Sequence, residues 1–175
     1  QKKSVWCILL KIFIFVYICN MAKDILIQKL SGSDTTIHSL GEWGIVVNEL
    51  PLKRFSEAKN IPSNDWYDES GEEEYLPEKL FLKAYEIDVK MSMSSNSMAT
   101  LNTNLSNFLD YLISNGEFSL YNPNTGIGRT KVRYVGYSDT AEYHCGHSKD
   151  GSQHLIQFTI KMKVNDPITN TVLNV

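Results

Sequence analysis

Cysteine is scarce in this 175-residue chain, and the scarcity excludes one class of protein. Two of the three cysteines, Cys7 and Cys19, lie in an apolar run near the N-terminus, which leaves Cys145 alone in the main body. A single cysteine cannot form an internal disulfide framework. A small, oxidised, secreted scaffold is therefore excluded.

The chain also lacks an excess of basic residues. It has 17 basic and 20 acidic residues, for a formal net charge of −3. Without Lys2, Lys3 and Lys11, which precede the expected domain, the count is 14 basic against 20 acidic residues, a net charge of −6. Wrapping nucleic acid requires a basic footprint, so the body is a poor candidate for that role. An acidic surface instead repels a polyanion that passes close by.

Recognisable catalytic and nucleotide-binding motifs are missing as well. The glycines of Gly126-Ile127-Gly128-Arg129 precede a predicted strand rather than a helix, so no helix N-terminus is available for a phosphate. Cys145 with a histidine base is the weakest hypothesis, because no orienting group can be inferred. We therefore predict no enzyme activity, no catalytic residue, no cofactor and no small-molecule substrate.

Two groups of side chains have ligand chemistry without a matching spacing. The first group comprises His144, Cys145, His147 and His154. Its spacing matches no closed zinc pattern, and a turn with surface histidines explains these residues more simply. The second could offer oxygen ligands to calcium but lacks the alternating register of an EF-hand loop. It comprises Asp65, Asp68, Glu69, Glu72, Glu73 and Glu74. We predict no metal site.

Residues 5–19 are nearly all apolar and follow Lys2 and Lys3, as in a signal peptide. Lys11 in the middle of this run argues against a membrane-spanning helix. Alternatively, residues 1–20 are translated upstream sequence, because Met21-Ala22-Lys23 looks like an ordinary bacterial start. On either interpretation we expect a single β-rich domain over residues 21–175.

Hydrophobic periodicity predicts an α+β, β-rich domain. Apolar alternation indicates main strands at 24–30, 43–49, 79–93, 117–121, 129–138 and 155–164. One amphipathic helix is predicted at about 98–114, where the apolar stripe consists of Leu101, Leu105, Phe108, Leu109 and Leu112. These elements predict an antiparallel sandwich or partly open barrel of about six strands, with the helix covering a sheet face or a barrel end.

A long polar stretch, residues 56–77, separates two of the predicted strands. Connections of this length are uncommon in compact domains and tend to be functional. Its aromatic residues either anchor the loop on its own domain or form an interface, where Trp and Tyr concentrate. The predicted interface residues are Asp65, Trp66, Tyr67, Asp68, Glu69, Glu72, Glu73, Glu74 and Tyr75.

The order of these elements resembles the tail-module fold of long-tailed bacteriophages, which covers tail-tube proteins and the N-terminal domain of distal tail proteins. Residues 65–75 look like the loop that precedes the long strand in distal tail proteins. Residues 105–112 look like the family's helix, and 118–121 with 132–135 like its following hairpin. The resemblance is one of pattern and covers roughly residues 24–164. The lack of a large second domain favours a short tail component.

The resemblance implies a non-catalytic structural protein of a phage or prophage tail that self-assembles into rings, commonly hexameric, around a DNA channel. The implied partners are further copies of the chain, other tail proteins and DNA in transit without sequence-specific binding. The implied location is the virion tail, after synthesis in the bacterial host cytoplasm. The alternative is a secreted or membrane-anchored bacterial binding module that uses residues 1–20 as its signal.

Overall fold

The computed structural model describes residues 24–32, 34–68, 70–114, 116–145 and 153–174. The leader proposed for residues 1–20 lies outside the described residues, so the signal and upstream-translation interpretations both stay predictions. Within the described part of the chain, no helix combines the length and the apolar character needed to cross a bilayer.

The described residues form one large antiparallel sheet, a separate strand pair, a 3₁₀ turn and one α-helix. In chain order the elements are β1 (Leu26–Lys29), β2 (Ile37–Ser39), the 3₁₀ turn (Leu40–Trp43), β3 (Ile45–Glu49), β4 (Ser63–Asn64), β5 (Glu73–Glu74), β6 (Tyr85–Ser95), α1 (Met98–Ile113), β7 (Glu117–Asn122), β8 (Ile127–Cys145) and β9 (Gln153–Val164). The large sheet has seven strands in the order β2-β1-β7-β8-β9-β6-β3. The α+β, β-rich prediction is confirmed, with seven strands in place of about six.

A very short connection joins the two edges of the sheet. β2 and β3 lie at opposite edges, yet only residues 40–44 separate them. Six Cα steps span at most about 20 Å. Seven flat strands spaced about 4.8 Å apart would hold their outer members about 29 Å apart. The sheet must therefore curl, as in the partly open barrel among the predicted architectures.

Alternation along β6 and β9 supplies half of the buried core. The two strands are antiparallel neighbours, and their buried residues face each other in register, as in Val89 opposite Ile160 and Met91 opposite Phe158. The inward residues are Tyr85, Ile87, Val89, Met91 and Met93 on β6 and Ile156, Phe158, Ile160, Met162 and Val164 on β9. These are the faces that the sequence predicts, because side chains alternate across a strand.

The helix α1 covers this core with the predicted stripe. Leu101, Phe108 and Leu112 are buried, and Leu105 and Leu109 pack beside them. Its first turn follows Ser97, whose extended backbone is that of an N-cap although its side chain makes no capping hydrogen bond. The helix ends one residue earlier than predicted.

The third predicted strand begins later than expected. The sequence predicts it from Lys79, whereas β6 begins at Tyr85. The residues in between pair with a different part of the chain, as shown by the isolated bridge between Ala58 and Leu82. The alternating residues before Tyr85 therefore pair with residues 57–59 and not with the large sheet.

Candidate functional site

Between β3 and β6 the chain leaves the sheet and forms a projection of two antiparallel segments, residues 56–83. We call this projection the arm and its two segments the outgoing and returning legs. At its root the Lys83 amide donates to the Glu57 carbonyl at 2.7 Å, and the Lys59 amide donates to Phe81 at 2.7 Å. Further out, β4 pairs with β5. The predicted irregular loop is thus an antiparallel ribbon, and residues 79–83 belong to its returning leg.

The arm has no core of its own. Every described residue between Pro62 and Phe81 is exposed. Of the 13 exposed large hydrophobic residues in the described ranges, seven lie in or beside the arm: Phe55, Trp66, Tyr67, Tyr75, Leu76, Leu80 and Phe81. Such a concentration of exposed apolar side chains is typical of contact surfaces.

The structure places the predicted interface residues together on the outer half of the arm. Asp65, Trp66, Tyr67 and Asp68 follow β4, and residues 72–75 include β5 and its neighbours. Glu69 lies outside the described residues. Trp66 Nε1 donates to Glu73 Oε2 at 3.3 Å and so links the two legs. Tyr67 is 100% exposed, which disfavours the interpretation that it anchors the loop on its own domain.

A buried arginine fixes the root of the arm to the sheet. Arg129 lies on β8 and is only 3% exposed. Its Nη2 donates to the carbonyls of Lys53 at 2.7 Å and Arg54 at 3.0 Å. Its Nη1 donates to the Gly128 carbonyl at 2.7 Å and to Asn170 Oδ1 at 3.3 Å. All four partners are neutral oxygens.

The C-terminal segment, residues 165–174, crosses β8 at the same place. The Gly128 amide donates to Asn170 Oδ1 at 2.8 Å, and Asn170 Nδ2 donates to the Gly126 carbonyl at 3.3 Å. A β-carbon on Gly128 would lie 1.8 Å from the Thr171 carbonyl oxygen. Glycine is required here because backbone approaches backbone.

Sequence reasoning missed the role of Arg129. In the sequence, Arg129 stands out only because it follows Gly126-Ile127-Gly128. Its partners Lys53 and Arg54 are 76 and 75 residues away. No local pattern reports contacts at such a separation. The single available signal is an arginine within an otherwise half-buried strand, where a charged residue is rarely buried unless it is paired.

A histidine held between two carboxylates lies beside the 3₁₀ turn. His38 Nε2 is 3.0 Å from Asp34 Oδ2, and His38 Nδ1 is 2.8 Å from Glu42 Oε2. The hydrogen bond with Glu42 is the largest cause that raises the pKa of His38. The Thr36 hydroxyl is the main cause that lowers the pKa of Asp34 to about 2. Both ring nitrogens of His38 therefore contact carboxylates, which links residues 34 and 42 across the start of the 3₁₀ turn.

Neither of the two groups of candidate metal ligands has a metal-binding arrangement within the described residues. The β8–β9 ladder places His144 opposite His154 and Cys145 opposite Gln153, whereas His147 lies outside the described residues. Across the described ranges, no group of three or more His, Cys, Asp or Glu residues could hold a metal ion.

Comparison with known proteins supports the fold. No family model and no curated protein matches the chain. The crystal structure of the SPP1 Dit (gp 19.1) protein, described as a paradigm of the hub adsorption apparatus in phages that infect Gram-positive bacteria, is similar with a TM-score of 0.55. The similarity covers 83% of this chain and 51% of that chain at 13% identity. The predicted resemblance to a distal tail protein is confirmed as one of fold, and this chain spans about half the length of that protein.

Proposed function

We propose that this chain is a structural component of a phage or prophage tail and that it acts by assembling with other proteins rather than by catalysis. The fold similarity to a phage hub protein supports the tail role. The exposed arm supports assembly as the mode of action, because none of its aromatic side chains packs against the core formed by the described residues.

The observation that carries the proposal is the contrast between the two ends of the arm. Its root is tied to the sheet by the buried Arg129, whereas its outer half presents Trp66, Tyr67 and Tyr75 to solvent. A projection that is fixed at one end loses less conformational entropy on docking than a free loop. Trp and Tyr are also the residues that contribute most binding energy at interfaces.

The proposed assembly is a ring of identical subunits, and the resemblance to tail proteins favours six. If each arm contacts a different surface on its neighbour, the contact is head-to-tail and closes into a ring when the rotation per subunit allows. The net charge of −6 outside the leader lysines suits a channel for DNA, because acidic walls prevent phosphate groups from adhering.

Size-exclusion chromatography with light scattering tests this proposal, on the full chain and on residues 21–175. We expect an oligomer at high concentration and roughly tenfold weaker association for the Tyr67→Ser/Tyr75→Ser variant, because exposed aromatic residues act as interface anchors. Ile113→Ser is the matched control, since Ile113 is exposed outside the arm. A monomer at every concentration, with no binding to other tail proteins, would contradict the proposal.

A further inference from the structure

A hollow of about 290 Å³ lies where the root of the arm meets the β7–β8 turn and the C-terminal segment. Arg54 and Arg129 contribute to its lining, which contains no carboxylate. Phe55 and Ile168, also in the lining, are largely exposed. The hollow therefore combines positive charge with uncovered apolar surface.

Arg129 gives this hollow a buried positive charge without a negative partner. A guanidinium stays protonated in proteins, and its hydrogen-bond partners here are carbonyl and amide oxygens. No ion pair of Arg129 is found among the described residues, and its buried Nε has no hydrogen-bond partner. Buried charges are normally paired, so an arriving carboxylate would be stabilised here.

We infer that this hollow is the docking surface for the outer half of the arm of a second copy of the chain. The carboxylates of residues 72–74 would face Arg54 above the buried Arg129, and Tyr75 would cover Phe55 and Ile168. The inference rests on the proposed function, because it names the surface on which the arm assembles.

The arm of the same chain cannot occupy this hollow. Its two legs are paired from the root, at Ala58 and Leu82, outward to β4 and β5. Glu73 and Glu74 pair with β4, whose residues lie five to six positions beyond the root at Ala58, or about 17–20 Å at the usual rise of a strand. The lining of the hollow contains no described residue of the arm itself. The occupant is therefore another molecule. Each copy provides one arm and one hollow, which gives the head-to-tail contact that a ring requires.

Charge exchange on the full chain tests the inference. Arg54→Glu changes the hollow, and Glu72→Lys/Glu74→Lys changes the arm while Glu73 keeps its bond to Trp66. We expect each variant to self-associate at least about tenfold more weakly in sedimentation velocity, because like charges would meet. Arg133→Glu, a reversal at an exposed arginine of β8 outside the hollow, is the control and should assemble like the wild type.

Combining the two changes distinguishes a docking contact from damage to either surface. An equimolar mixture of the two variants, or one chain carrying all three substitutions, should regain assembly, because every arm then meets a hollow of opposite charge. If the wild type assembles but Arg54→Glu assembles equally well, or the combinations do not recover, this docking surface is wrong and the proposed function stands. A wild type that never assembles, alone or with tail proteins, overturns both.

Discussion

Replacing Arg129 by methionine should loosen the root of the arm and destabilise the domain. Methionine keeps the buried volume but removes four donated hydrogen bonds. The Lys53 carbonyl retains a long bond from the Tyr85 hydroxyl at 3.5 Å, whereas the Arg54 carbonyl loses its donor. An unsatisfied buried acceptor costs about 1–3 kcal/mol, and bonds to a charged donor contribute about 1.5–3 kcal/mol each.

Removing an uncompensated buried charge offsets part of this loss. We expect the free energy of unfolding to fall by about 2–3 kcal/mol, which corresponds to roughly 4–12 °C in the melting temperature of a chain of this length. Urea unfolding followed by circular dichroism measures the fall, and hydrogen exchange should accelerate at residues 50–59. Arg133→Met, on the exposed side of β8, should stay within about 0.5 kcal/mol of the wild type. An Arg129→Met protein that matches Arg133→Met in both measurements would refute the assignment of Arg129 as the anchor.

Two further predictions concern the C-terminal segment and the histidine cluster. Gly128→Ala should displace residues 165–174 and lower the free energy of unfolding by about 1–3 kcal/mol, as overpacking does. Gly136→Ala is the control, because no heavy atom lies within 4 Å of its added carbon. Thermal melts should show a lower midpoint for Gly128→Ala and no change for Gly136→Ala. The hydrogen bond with Glu42 raises the pKa of His38 in the folded state. The contribution of His38 to the stability of the folded protein is therefore complete below the unfolded pKa of about 6.5. This contribution is lost as the pH rises through the higher folded pKa. His38→Gln should therefore flatten the decline in thermal midpoint between pH 6 and pH 9, and an unchanged decline would show that another group causes it.

The sheet and the helix are predictable from the sequence because their signals are periodic and local. Ile156, Phe158 and Ile160 alternate with polar residues on β9, and this pattern fixes the buried face before any partner is known. The stripe from Leu101 to Leu112 fixes the buried side of α1 in the same way. Both elements are observed with only small changes at their ends.

The arm shows where local signals fail. Residues 79–83 have the composition of a strand and do form a strand-like leg, but their partner is the segment around Ala58 and not the large sheet. Period-two alternation is the same in both cases, so only the pairing partner distinguishes them. The hollow is invisible for a related reason, because Arg54, Arg129 and Asn170 are far apart in the sequence.

The topology of the sheet also sets the order in which a newly made chain can fold. β1 pairs with β7, as in Leu26 opposite Tyr121, and β6 depends on β9 near the end of the chain. Such contacts between distant parts of a sequence form slowly, and during synthesis they must await residues 153–170. Asn170, which meets Arg129 at the root of the arm, is among those residues. A growing chain in which β9 has not yet formed therefore cannot present a fixed arm. Hydrogen-exchange protection at residues 50–59 that appears before β9 is protected during refolding would contradict this order.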